Sequence, residues 1–585
     1  MRLRLLAIVA CAVMLAAGCA SIPDDGAIHS APAEPEEPVP SVFDPPGPKP
    51  GASTEEVVEG FITAMKAQPI SSEAARAFLT EKAGDRWNPE RQTVVFTEKV
   101  NNPVADNRVE LVLDTYATLG QRGAFSPAHG DDRTVDLELT KEKGQWRIAN
   151  PPDAYLIDDS QFEEHYQAMS LYFIADSRRF AVPEPVYLPV GDQLPSYALN
   201  ALLRGPDESL GSVATSFLPA EADLEVSVRV DDDGVAEVRL TGEFDDLDAE
   251  ARKLMSAQIV LTLRQVPAVD GVRILVDGVP YEVSGVDEVQ SVNAWNRLDP
   301  SVSNVRTTLY ALRSGQLAVV EDDDVHAFAG PWDQPRTDIA DFAVDSDEHR
   351  IAVIDQQRRK ASVRSMAVNE PKTETVLDGS NLVGPQWDPL NWLWLADARR
   401  TSTSIAAWRE GTLRSIPIGD LAGLRLSDFS ISPDGARIAV VAAPPRSKNP
   451  ERDQDLYVGF VRRTDKDGAP AEVVGLRRVP VDEGALRDVR SIAWRDATHV
   501  VALADRGTHG VLPYVVAIDG SSISGGVTAG QTSLPGNGAR SVAASGRISD
   551  PIYVSDDAGG LWKLDTNQRW VDIGDAAIQL AHYAG

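Results

Sequence analysis

Apolar positions along this 585-residue chain change their spacing from segment to segment, and each spacing predicts a different element. An unbroken apolar run at 5–17 follows Arg2 and Arg4 and ends in the small residues Ala16, Ala17 and Gly18. It is too short to span a bilayer, and its basic flank and small-residue end are those of a secretory signal peptide, 1–18. From 21 to 52 proline and glutamate dominate, so the segment buries too little apolar surface to fold and predicts an extended stalk over 19–52. Helical spacing begins at Ser53, where Ser53 and Glu56 have capping-box spacing ahead of Val57, Val58, Phe61, Ile62 and Met65. A second helix is expected over 72–81, then strands at 93–100, 108–120 and 133–139, closed by 144–148 with Trp146 at its centre. A helix over 161–176 is expected to lead into the next unit. There, strand 186–189 precedes a helix at 197–203 stopped by Gly205 and Pro206. Alternating strands at 224–230 and 235–240 flank Asp231, Asp232, Asp233 and Gly234, which predicts a hairpin. A helix over 248–266 and a strand over 272–276 complete this unit, and the short mixed linker at 285–299 implies packed domains.

The remainder of the chain repeats. Units beginning at Asp341, Gly384, Asp428, Ser491 and Ser541 are each followed by an apolar strand, at 351–354, 392–395, 438–442, 500–503 and 552–554. A period of roughly 45 residues with several short strands per unit predicts a β-propeller. An opening unit at 307–330 brings the count to six, and pairing 578–583 with that unit closes the ring and removes both open edges. The expected organisation is therefore multidomain: α+β over 53–180 and 181–292, then an all-β propeller of about six blades over 293–585.

Composition narrows the partners. The formal net charge is −32, and the two arginines lost with residues 1–18 take it to −34. No basic stripe offsets this, so the sequence argues against nucleic acid as a partner and leaves membrane contact to acyl chains. Cys11 and Cys19 are the only cysteines, so the processed chain has no disulfide to make and relies on its core.

Candidate chemistry is sparse. There is no Ser-x-x-Lys, Gly-x-Ser-x-Gly, phosphate-cradling Gly-x-x-x-x-Gly-Lys or His-Glu-x-x-His, and the eight histidines are scattered; no catalytic set, metal site or cofactor is expected. Three weaker possibilities remain. Asp231 to Asp233 and Asp322 to Asp324 could offer oxygens to a hard cation, yet both sit where acidic turns belong. Trp387, Trp392 and Trp394 could stack on a glycan or pack between blades, with Trp392 and Trp394 on one strand face. Asp345, Asp388 and Asp434 could line a propeller channel as general bases or metal ligands, or serve the turns they lie in.

Four sequence elements carry resemblances. Cys19 directly after Ala17 and Gly18 resembles a bacterial lipobox, in which the thiol after the cut receives a diacylglyceryl group; Leu15 stands one place further out than usual, with Ala16 in its place. The helices and curved sheet of 53–180 are similar to cone-shaped folds of the nuclear-transport-factor type. Leu202-Leu203-x-Gly205-Pro206 and Val272-x-Ile274-x-Val276-Asp277-Gly278 resemble the GerMN domain of sporulation and germination proteins, and Ser432-Pro433-Asp434-Gly435 a turn between inner propeller strands. Lipobox, proline-rich stalk, GerMN-like domain and propeller, in this order, resemble the actinobacterial LpqB lipoprotein family. That resemblance implies a lipid-anchored accessory protein on the outer face of the cytoplasmic membrane, contacting the ectodomain of a sensor histidine kinase (MtrB, of the MtrA–MtrB two-component system) and affecting envelope and division programmes. The alternatives are a scaffold binding cell-wall glycan and a propeller hydrolase acting on it.

Overall fold

The computed structural model describes residues 43–585 apart from 129–131, 304–307, 329–337, 368–372, 400–401, 422, 445–446, 448, 450–452, 465–466, 480–485, 506–509, 526–537, 568 and 575–576. The expected signal peptide, Cys19 and the stalk as far as residue 42 lie outside the described residues.

The first domain begins with α1 (Thr54–Ala64), held by a full capping box: the Glu56 N–H donates to Ser53 Oγ at 3.2 Å and the Ser53 N–H to Glu56 Oε2 at 2.8 Å. Its buried face, with Val57, Val58, Phe61 and Ile62, packs on a curved sheet. The strands are β1 (Gln92–Ala105), β2 (Arg108–Gly120), β3 (Asp132–Glu142), β4 (Gln145–Ile148) and β5 (Tyr155–Asp158), in the order β4-β3-β2-β1-β5. The single helix expected over 72–81 is instead two short ones, α2 (Glu73–Arg76) and α3 (Glu81–Arg86). The sheet edge breaks it, because Ile148 donates to the Phe78 carbonyl and accepts from the Thr80 N–H, both at 2.9 Å.

The helix expected over 161–176 is also corrected. Only α4 (Asp159–His165) is helical, capped by Asp158, and the chain continues as β6 (Tyr166–Ala175) paired with β7 (Ala181–Pro189). Met169, Leu171 and Phe173 point inward at the strand period. After α5 (Leu194–Leu203), the Asp231 turn joins Arg229–Val230 to β8 (Val235–Thr241). The partner strand expected at 224–230 is interrupted, since Val228 turns inward and its N–H donates to Ser196 Oγ at 2.9 Å. α6 (Ala249–Leu263) crosses from β8 to the parallel strand β9 (Gly271–Val276) and is buried from Leu254 to Leu263. Buried Gln258 and half-buried Gln265 use their amides to satisfy backbone groups of β6 at Tyr172 and Ser170.

Six four-stranded antiparallel sheets follow. Blade 1 combines Leu309–Arg313, Gln316–Glu321 and Asp324–Ala327 with the C-terminal strand Ile578–Tyr583, which pairs Leu309 with Tyr583 and closes the ring. The inner strands of blades 2 to 6 are Ile339–Val344, Leu382–Trp387, Arg425–Ile431, Arg487–Trp494 and Ala539–Ala543. The domains share cores. Phe180, from the turn between β6 and β7, is buried among Trp394, Phe429 and Ile431 of blades 3 and 4, while Ala436 and Phe460 of blade 4 belong to the core of the second domain. Arg437 Nη2 donates to the Pro183 carbonyl at 2.6 Å.

Candidate functional site

Each carboxylate expected near the channel lies in the turn after an inner strand and is spent there. Asp345 accepts from the backbone N–H groups of His349 and Arg350 and from Arg350 Nε, at 2.8 to 2.9 Å. Asp388 accepts from the N–H groups of Leu390 and Trp392, from Trp394 Nε1, and from Arg463 Nη2 at 2.8 Å. Asp434 accepts from Ser432 Oγ, from the Ala436 N–H and from Arg437 Nη1. All three are at most 2% exposed, so they are turn clamps rather than channel bases.

The tryptophans are also structural. Trp394 and Trp392 share one apolar cluster, whereas Trp387 lies in another against Trp408, so the three do not form one surface. Each is at most 2% exposed. The acidic runs are turns as well: Asp231 Oδ1 accepts from the N–H groups of Asp233 and Val235, and Asp322 and Asp323, with φ of 50° and 67°, make the two-residue connection of blade 1. Asp323 also pairs with Lys563 of blade 6 at 2.6 Å. Among the described residues no three His, Cys, Asp or Glu side chains converge to hold a metal ion, and no helix is long and apolar enough to cross a membrane.

The polar groups of the channel stand at or near the head of each repeat. A register shift enters the inner strand of every blade from 2 to 6, and the first paired residue after it is Asp341, Gln386, Asp428, Ser491 or Ser541. Such a bulge re-aims the side chain that follows it. The first four of these line a central cavity of about 150 Å³ together with Val542 and His582.

Most of these groups staple one blade to the next. Asp428 Oδ2 accepts the Ile492 N–H at 3.0 Å, Ser491 Oγ accepts the Val542 N–H at 3.4 Å, and Gln386 Oε1 accepts the Ile431 N–H at 2.8 Å. Asp341 is placed differently: its Oδ1 accepts the Phe342 N–H and stands 3.4 Å from His582 Nε2. The Asp428 carboxyl is pushed up to about 7, chiefly by desolvation, with the Asp341 charge adding to the rise and the Ile492 and Phe429 N–H groups opposing it. The sequence shows these positions at or near the head of each repeat; what it does not show is that a bulge turns them to the axis, or that His582 arrives from the closing strand.

Comparison with known proteins follows the same division. Residues 47–163 match the family described as lipoprotein LpqB, N-terminal domain; 170–282 match the sporulation and spore germination family; 315–579 match the lipoprotein LpqB beta-propeller domain. Lipoprotein LpqB of Thermobifida fusca is 26% identical over 94% of this chain and 95% of its own. Lipoprotein LpqB of Mycobacterium bovis is 28% identical over 73% of this chain and 76% of its own. Among solved structures, TolB from Acinetobacter baumannii is 11% identical, covering 58% of this chain and 86% of its own with a TM-score of 0.36.

Proposed function

The chain belongs to the LpqB lipoprotein family, and from that premise we propose that it is an extracytoplasmic binding protein, lipid-anchored through Cys19, that engages a sensor-kinase ectodomain of the MtrB type and biases its signalling state. The observation that carries a binding role over a catalytic one is the use made of Asp345, Asp388 and Asp434. All three are buried and saturated by turn donors, so none is available to act on a substrate. Burial of Trp387, Trp392 and Trp394 likewise removes the stacking surface that a glycan scaffold would use. Shared cores between the second domain and blades 3 and 4 support a rigid body, and a rigid body can favour one state of a partner through differential affinity.

The test is photocrosslinking in native membranes from positions on the outer propeller turns, with mass spectrometry of what is captured. Recovery of a sensor ectodomain, together with altered phosphorylation of the response regulator when the lipoprotein is deleted, is the expected result. Capture of glycan alone, with phosphorylation unchanged under every envelope stress applied, overturns it.

A further inference from the structure

The sheet of the first domain has one long open edge. β2 runs along one side of β1 for its whole length, but on the other side β5 accompanies it only from Thr93 to Phe96. From Thr97 to Ala105 no strand lies on that side among the described residues, and no backbone hydrogen bond from a neighbouring segment reaches it. Residues of an antiparallel strand turn their N–H and C=O groups alternately to either side, so every second residue of this stretch offers both outward. Pro103 has no N–H to give, so the stretch with donors ends at Asn102.

The side chains beside this edge define what fits it. Across the ladder Glu98 stands opposite Asp114, and Asp114 opposite Asp132; the next row is Val100, Val112 and Thr134. Like charges directly opposite one another destabilise a sheet, so the acidic row has a cost that a cation would offset. Arg108 on the same face is already paired with Asp136, its Nε donating to Oδ1 at 2.6 Å, and Arg147 stands on the far strand β4. Glu98, Asp114 and Asp132 are exposed and have no ion-pair partner among the described residues. Val100 and Val104 are each 54% exposed. The base of this face is covered, because Val95, Ala117 and Leu119 pack with Phe125 and Phe162; its upper part, from Glu98 onward, is bare. An anionic membrane is repelled by the same carboxylates. We propose that a protein partner adds an extended basic segment to the edge of β1 between Thr97 and Asn102, its backbone continuing the sheet, its cationic side chains meeting the row at Glu98 and its apolar ones covering Val100. This edge is separate from the propeller turns assigned to the sensor contact and does not rest on that assignment.

The test uses the detergent-solubilised full chain and three fluorescent short peptides. The first has threonine at alternate positions with lysine and valine between them; the second has glutamate in place of lysine; the third is the lysine peptide with alternate backbone nitrogens methylated, which keeps its charge but cannot pair as a strand. Anisotropy at low ionic strength should show the first binding at least about tenfold more tightly than either other. Hydrogen exchange should slow in the fragment holding Thr97 to Asn102 when it binds. Glu98→Gln combined with Asp114→Asn should weaken the lysine peptide by about fivefold without lowering the melting temperature, because the two carboxylates repel each other across the ladder. Equal binding by the methylated peptide means charge attraction without strand addition and overturns the proposal. Slowed exchange confined to other segments, or unchanged affinity in the double variant, also overturns it, and the peptide comparison on the unaltered chain stands whatever the stability of that variant.

Discussion

Asp388 is wholly buried, and its two oxygens receive four donors, among them the Trp394 indole and the guanidinium of Arg463. Arg463 also reaches the carbonyls of Gly435 and Gly468, so every face of the pair is occupied. Breaking such a pair from one side leaves an uncompensated charge in the core. Arg463→Met is therefore expected to cost about 3–5 kcal/mol in denaturant unfolding, and Arg463→Lys to recover only part of it, because one ammonium cannot serve three acceptors in the planar fork geometry. A loss below about 1 kcal/mol in Arg463→Met would show the pair to be dispensable. Asp428 makes a different prediction. Its folded carboxyl titrates near 7, above the ordinary 3.8 of the unfolded chain, so the folded state holds a proton that the unfolded state releases between those values. This group's contribution is complete below about pH 4 and falls away as pH rises through 7. Asp428→Asn lowers the midpoint by weakening the bond to Ile492, but it should flatten the decline of stability between pH 5 and 7.5, measured by denaturant midpoints. Cys19→Ser tests the proposed anchor, since it removes the thiol that would receive the lipid. The expected outcome is loss of the protein from the membrane fraction with the folded domains intact by circular dichroism.

At the scale of the element, ring closure rests on one strand. Ile578–Tyr583 pairs with Leu309–Arg313 and supplies the inner strand of blade 1, so its loss would bare the edge of blade 1 and open the contact with blades 2 and 6. A chain ended after residue 577 should aggregate on warming, seen by light scattering, and lose a sharp unfolding transition; a soluble protein with an unchanged melting curve would show that closure is not needed. This strand, the α1 capping box and the turn at Asp231 are legible in the sequence because local chemistry sets them: paired cap residues, turn-forming Asp and Gly, an apolar segment left over after counting repeats. β6 is not legible in that way. Met169 to Ile174 is apolar at nearly every position, so no polar residue distinguishes period 2 from period 3.6, and pairing with β7 decides it. The role of Asp388 was hidden for another reason, since its partner Arg463 lies 75 residues away and is brought in only by the fold. The channel groups combine both cases: their place near the head of each repeat is visible, whereas the bulge that turns them matters only once neighbouring blades meet.

For the whole molecule, the question is whether the domains unfold as one. Phe180 is 1% exposed and sits with Trp394, Phe429 and Ile431 in the packing between blades 3 and 4, although it belongs to the second domain. The exchange is mutual, because Phe460 and Ala436 of blade 4 pack in the core of the second domain, and Arg437 bonds both Asp434 in its own turn and the Pro183 carbonyl of β7. Two cores that each borrow side chains from the other cannot melt independently without opening a cavity in the survivor. The unaltered protein should accordingly show one calorimetric transition for both domains, with equal calorimetric and van't Hoff enthalpies. Phe180→Ala removes the aromatic side chain that the propeller borrows, at a cost of about 3–5 kcal/mol if the site does not collapse. Since Phe180 is not part of the propeller's own chain segment, the propeller can close over the vacancy with its own residues, and the variant should resolve into two transitions, the second domain melting first. A single transition shifted as a whole would mean that Arg437 and Phe460 suffice to couple the domains.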